Sequence, residues 1–262
     1  MKPHQWAVNM GMATAGLLAL SSAPAQAFSF TTNLAAGSNA PKGNIFLESV
    51  SFGGTTFSDF TLVTGANIRQ NDEYRGGNTG AASADRGDTA TGVKKQDPTE
   101  ADVVAALGNL NLNNIIDTED KGKFTIDLFF GKAVNTLFLW ERGQNSTLNV
   151  QALNSAGTPV GTLLTLNSKD WDYAGFDIDT TEIGSAQPVG SMGVTLADLG
   201  VTGAISGIRT QALSSYNGPD FKVVGGDVPV ATPEPSALVG LGLAAGAVVT
   251  AGRRRAAQSA EA

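Results

Sequence analysis

The sequence predicts a mostly β protein, an antiparallel β-sandwich of jelly-roll type with one or two short helices. Three observations predict it. Apolar residues alternate through Phe124, Ile126, Leu128 and Phe130, the period of a strand with one buried face. Short apolar segments recur at roughly ten-residue intervals between Gly, Asn and Ser turn signals. Convincing helical periodicity is confined to one stretch near residue 100.

In chain order, residues 28–34 open the body with a short apolar segment. Residues 44–52, NIFLESVSF, read as a strand, and residues 57–63, FSDFTLV, as a second. Gly53-Gly54 between them is a hairpin signal. Residues 67–95 carry Gly-Gly, Asp-Arg-Gly and Thr-Gly pieces and read as almost without apolar residues, which predicts a long mobile loop. A helix follows, with Asp97 as cap, Pro98 at the first position and Glu100 closing a capping box. Val103, Val104 and Leu107 give it an apolar face, and Gly108 ends it. Residues 110–117, LNLNNIID, read as a second short helix or turn with Leu112, Ile115 and Ile116 facing the core. Strands are expected over 122–130, 134–142, 147–153, 159–166, 175–179, 192–196, 204–213 and 220–224.

The two ends differ from this body. Lys2, an apolar stretch over 7–20 and the small-x-small pattern of Ala25 and Ala27 read as a secretory signal peptide, cut after Ala27 by signal peptidase. An uncleaved N-terminal anchor competes, but Asn9, Gly11 and Gly16 interrupt the apolar stretch. At the other end stand Pro233-Glu234-Pro235, an apolar segment over 237–252 and the cluster Arg253, Arg254 and Arg255. The apolar segment reads as a transmembrane helix, a little under the ~20 residues that cross a bilayer core. The arginines would stay cytoplasmic and stop transfer. The organisation is therefore a signal peptide (1–27), an exported domain (28–230) and a tail (231–262).

Composition limits the chemistry. The chain has no cysteine, and its one histidine, His4, lies in the predicted signal peptide. The exported domain thus has no Ser-His-Asp triad, no thiolate nucleophile and no His-ligated metal. Without Lys2, the tail arginines, Glu234 and Glu261, it carries 13 basic and 22 acidic residues, a net charge of −9. That balance disfavours nucleic acid. No phosphate-binding loop follows any Gly-rich segment.

Asp170, Asp172, Asp177 and Asp179 are a candidate calcium site, because hard carboxylate oxygens at this density suit that ion. A solvated acidic edge is the alternative. No other cofactor is expected. Trp171 and Tyr173, between those aspartates, are candidate stacking platforms for sugar rings, whereas Trp140 reads as core. Glu141 with Asp127 is a conceivable acid pair for a glycoside hydrolase, though a structural Glu141–Arg142 contact explains that site more simply.

The tail, in the order Pro-Glu-Pro, apolar segment, arginines, resembles the PEP-CTERM sorting signal. Residues 110–226 are also similar to the cyanobacterial type of exosortase-dependent surface protein. The resemblance there lies in DKGKFTIDLFFGKAVNTLFLWERGQNSTLNVQAL, AGFDIDTTEI and NGPDFKVV. It implies a non-enzymatic surface or extracellular-matrix protein. Its partners would be an exosortase acting at Pro233–Pro235, the inner membrane before processing and extracellular polysaccharide afterwards. The seven residues after Arg255 are a longer extension than the pattern usually has, and a plain tail anchor would use the same helix and arginines. A carbohydrate- or calcium-binding module delivered the same way is the second reading, and a two-carboxylate hydrolase the third.

Overall fold

Alternating sequence becomes paired strand through most of the computed structural model. It describes residues 27–228 except 39, 75–79, 87–91 and 181–182. The signal peptide up to residue 26 and the tail with its predicted membrane helix lie outside the described residues. Among those described there are fifteen strands and one helix.

The first strands are β1 (Thr31–Leu34), β2 (Leu47–Phe52) and β3 (Thr55–Phe57), which form a small antiparallel sheet. Gly53 and Gly54 turn β2 into β3 with φ of 57° and 78°, so the expected hairpin is present. The expected second strand is broken into β3, the two-residue β4 (Phe60–Thr61) and β5 (Val63–Asn71).

A five-stranded antiparallel sheet runs β11 (Pro159–Leu166), β10 (Leu148–Leu153), β14 (Ile205–Ala212), β8 (Phe124–Val134), β5. Opposite it lies the larger sheet, β12 (Asp172–Ile178), β13 (Gln187–Thr195), β9 (Thr136–Arg142), β15 (Asp220–Gly226), β7 (Asn114–Thr118), β6 (Ala82–Arg86), with β4 beside β15. The main core fills the space between them. Phe124, Ile126 and Leu128 of β8 face Leu137 and Leu139 of β9 and Phe221 and Val223 of β15. The rings of Phe124 and Phe221 stack across the layers at 6.0 Å. From β8 onward, hairpins excepted, the chain changes sheet between strands, which is the connectivity of a sandwich.

The sandwich has a third layer that the sequence reading lacks. The other face of the larger sheet is also apolar, with Phe138, Trp140 and Val224. The small sheet covers it with Phe30, Leu47 and Val50. Trp140 is core, as expected. Its ring meets Phe30 edge-on at 5.4 Å, and its indole nitrogen donates to Thr32 Oγ1 at 2.9 Å.

Three local expectations are corrected. The helix α1 (Glu100–Leu107) is capped by Thr99, not Asp97, and Thr99 and Asp102 exchange the capping-box bonds. Both frames have the right residue types, so composition could not choose between them. Residues 114–118 are strand β7, not helix: Ile116 pairs Phe221, and Ile115 and Ile116 enter the two opposite cores. The preceding asparagines serve as backbone partners there, since Asn111 Oδ1 accepts the Ile45 amide at 2.9 Å. Finally, 67–95 is not one loop. β5 extends to Asn71, and β6 pairs with β7 through Ala82 and Ala84, both fully buried. Alanines too small to register as a hydrophobic run pack there in the main core with Val103, Ala106 and Leu107 of α1.

Candidate functional site

The folded body begins and ends at the same place. Phe28 exchanges both backbone hydrogen bonds with Gly193 at 2.8 Å. At the other end the Asn135 side chain holds Asp227 and both backbone groups of Val228 at 2.7–2.9 Å. Phe28 and Val228 line one uncharged groove of about 800 Å³ with Phe52, Phe57, Leu196 and Val201. Pro233, Glu234, Pro235, Arg253, Arg254, Arg255 and Ala25 lie outside the described residues, and Ala27 is the first of them. No helix among the described residues is long and apolar enough to cross a membrane.

The four aspartates of the candidate calcium site do not converge. Asp170 accepts from Asn167, Asp172 from the Ser29 hydroxyl, Asp177 from the Tyr173 hydroxyl, and Asp179 pairs with Lys42 at 3.4 Å. Among the described residues no three acidic groups gather as a metal site would require. Asp172 and Asp177 lie on edge strand β12, whose register shifts between Tyr173 and Asp177, while Asp170 precedes it and Asp179 follows it.

The two stacking candidates separate as well. Tyr173 is 56% exposed, but Trp171 is only 6% exposed and belongs to the main core. The Trp171 indole nitrogen donates to the Ser146 carbonyl at 2.9 Å. Its acidic neighbours suggested exposure, yet Trp171, just before β12, turns into the core while Asp170 and Asp172 stay exposed.

Glu141 and Asp127 do not form a pair, since β9 and β8 belong to different sheets. Glu141 is fully buried, and neither carboxyl oxygen has a donor in good hydrogen-bond geometry, the Ser146 hydroxyl and the Gln144 and Asn145 amides lying near it without good alignment. Burial pushes its pKa well up, the nearby Asp220 adds to the rise, and Ser146 and the Gln144 and Asn145 amides only partly oppose it. No Glu141–Arg142 contact forms, because successive strand residues point to opposite faces.

Arg142 instead holds two aspartates. Its Nε and Nη2 donate to Asp220 Oδ2 at 3.0 and 2.6 Å, and Nη2 reaches Asp117 Oδ2 at 3.4 Å. Its Nη1 donates to Thr180 Oγ1 at 2.5 Å. Asp220 Oδ1 accepts the Thr118 amide at 2.7 Å. Burial raises the pKa of Asp220, and Arg142 and the Thr118 amide pull against it. These groups floor a cleft of about 180 Å³ whose rim includes Glu119, Asp120 and Asn217. Two acids thus converge, but on an arginine that joins β9, β15 and β7. Such an arrangement clamps strands and leaves little carboxylate free to move a proton.

Asp127 has the inverse arrangement on the outer face of the five-stranded sheet. It has no exposure, and it accepts Arg209 Nε and Nη2 at 2.6 and 2.9 Å and Arg69 Nε at 2.7 Å. Burial alone would raise its pKa. The bonds and charges of Arg209 and Arg69 outweigh burial and hold it below the usual carboxylate range. The strand register sets up part of this, pairing Arg209 directly with Asp127. Arg69 arrives through a β-bulge, the irregularity between Ile68 and Gln70.

The sequence reading missed both ion clusters, and it missed Lys222. Fully buried, Lys222 donates to the Ala106 carbonyl at 2.6 Å, at the C-terminal end of α1, and burial lowers its pKa well below the usual range. The available signal was weak: charges at single strand positions read as solvated residues until their cross-strand partners are known.

No protein-family model matches the sequence, and no curated protein matches it. Among solved structures, the lectin domain of lectinolysin complexed with Lewis B antigen aligns at a TM-score of 0.27 and 16% identity, over 44% of this chain and 72% of that one. The catalytic unit of a thermostable GH87 α-1,3-glucanase from Streptomyces thermodiastaticus strain HF3-3 aligns at 0.29 and 20% identity, over 47% of this chain and 22% of that one. Likenesses this distant carry neither fold nor function across.

Proposed function

We propose that this chain is a non-enzymatic exported surface protein, displayed through its C-terminal tail. The observation that carries the reading is the tail itself: Pro233-Glu234-Pro235, the apolar segment 237–252 and Arg253 to Arg255, in that order. The folded body is compatible with it. Its last described residue, Val228, leaves four residues before the triplet that begins at Pro233, and Phe28 and Val228 line one groove. In this reading signal peptidase removes residues 1–27, the tail helix holds the protein in the inner membrane, and an exosortase cuts near Pro233–Pro235. The body then passes to the cell surface or extracellular matrix.

Intact mass of the protein recovered from the cell surface tests this. The expected species starts at Phe28 and ends upstream of Gly252. A full-length tail retained in the inner membrane would overturn exosortase sorting and favour a plain anchor.

A second reading concerns what the displayed body does. Carbohydrate binding is favoured by partly exposed aromatic side chains set among polar ones on sheet surfaces. Tyr173 is one, 56% exposed with its hydroxyl on Asp177 at 3.1 Å.

A further inference from the structure

We propose that the outer face of the five-stranded sheet binds an anionic carbohydrate, a sugar carrying a carboxylate. The inference rests on the carbohydrate reading of the body, and adds the face, the residues and the ligand's charge.

Several guanidinium donors on this face are unused. Asp127 engages one nitrogen of Arg69 and two of Arg209. The terminal nitrogens of Arg69 and Nη1 of Arg209 have no partner among the described residues. Arg69 is 46% exposed and Arg209 21%, while Asp127 beneath them has no exposure. The cluster therefore presents a net charge of about +1 on a body of net −9, with Arg209 held at two nitrogens and Arg69 at one by a buried carboxylate. A guanidinium fork matches a carboxylate in shape as well as charge.

The neighbouring residues suit a sugar. One strand step along the same face, about 7 Å from Asp127, stands half-buried Phe129, paired with Gly65 on one side and Gly207 on the other. A Cβ on Gly65 would lie 3.5 Å from Phe129, and one on Gly157 would lie 3.4 Å from its ring edge. A Cβ on Gly207 would collide with the Leu128 carbonyl at 2.2 Å, so no side chain can stand there. The glycines leave Phe129 without tall neighbours, as a stacking platform needs. Amides and hydroxyls flank the arginines, with Gln151 opposite Arg209, and Gln211 opposite Thr125 one row on. A ring seated on Phe129 places its carboxylate at the arginines. A densely charged polyanion such as nucleic acid is opposed by the acidic remainder of the body.

The test is titration of the purified chain with tri-galacturonate, a neutral galactose trisaccharide, and acetate. The uronate is expected to bind at least tenfold more tightly than the neutral sugar and than acetate. Arg69→Gln and Phe129→Ala should each weaken it by about tenfold, while both variants keep a cooperative melt within a few degrees of wild type. Lys169→Gln, an exposed charge elsewhere, should change it less than twofold, and Arg69→Lys should recover only part. If the neutral sugar binds equally well, the anionic site is wrong and the carbohydrate reading stands. Should neither sugar bind, both are wrong. Acetate binding as tightly as the uronate removes the sugar from the proposal. Equal losses in Arg69→Gln and Lys169→Gln leave only nonspecific charge attraction and overturn the site.

Discussion

Among the described residues, two ion clusters of opposite composition sit in this sandwich. On the five-stranded sheet one carboxylate holds two arginines, Arg69–Asp127–Arg209, and the arginines reach solvent. On the larger sheet one arginine holds two carboxylates, Asp117–Arg142–Asp220, and all three are nearly buried. In the second cluster every Arg142 nitrogen is engaged, so its energy goes into joining strands. In the first, the buried acid orients donors that remain unused. Position decides the role: a cluster closed inside a fold clamps it, whereas one whose cations face out can hold a ligand.

The largest test of this comparison is Arg142→Met. It leaves Asp117 and Asp220 buried without their cation, and a loss of about 3–5 kcal/mol is expected in chemical denaturation. A loss no larger than that of Arg69→Gln would end the distinction between clamp and presented cluster. Asp127→Asn comes next, with about 1.5–3 kcal/mol lost at neutral pH. Because the folded pKa of Asp127 is lowered, its stabilisation is present above the ordinary aspartate value of about 3.9 and disappears as pH falls through the folded value. The gap between wild type and Asp127→Asn should close over that acid window, and a gap constant with pH would contradict it.

Glu141, buried without a well-aligned hydrogen-bond donor, gives the opposite sign. Its folded pKa is raised, so the contribution of its bound proton is complete below about pH 4.3 and is lost as pH rises through that value toward the folded one. Wild-type stability should fall there by up to about 1.4 kcal/mol per pH unit, and Glu141→Gln should flatten that slope. The smallest effect belongs to Arg69→Gln. Removing a half-exposed partner while Arg209 still holds Asp127 should cost about 0–1 kcal/mol of stability. A larger loss would make Arg69 part of the framework and weaken its assignment to ligand binding.

Strand periodicity was legible where one face is buried and the other is not. β8 alternates cleanly, and the Gly53-Gly54 turn falls where the sequence placed it. β7 was harder because both faces are covered, so Ile115 and Ile116 run together and imitate a helical or turn segment. The alanines of β6 were invisible to a search for large apolar residues. Trp171 was misjudged for a related reason: its flanking aspartates are adjacent in sequence and exposed, but its own ring enters the main core.

The sequence by itself determined the chemical vocabulary. It has no thiol, no imidazole in the predicted exported domain, an acidic balance, a β-rich pattern and a tail whose order of parts reads as a sorting signal. These are properties of composition and of neighbours along the chain. Only the tertiary structure decided which charges meet. Asp127 and Arg209 are 82 residues apart, and Arg142 and Asp220 are 78 apart. Their pairing depends on strand order and register, which long-range burial of the two cores selects. The same folding scattered the four aspartates between 170 and 179 and gathered two distant arginines over one buried carboxylate.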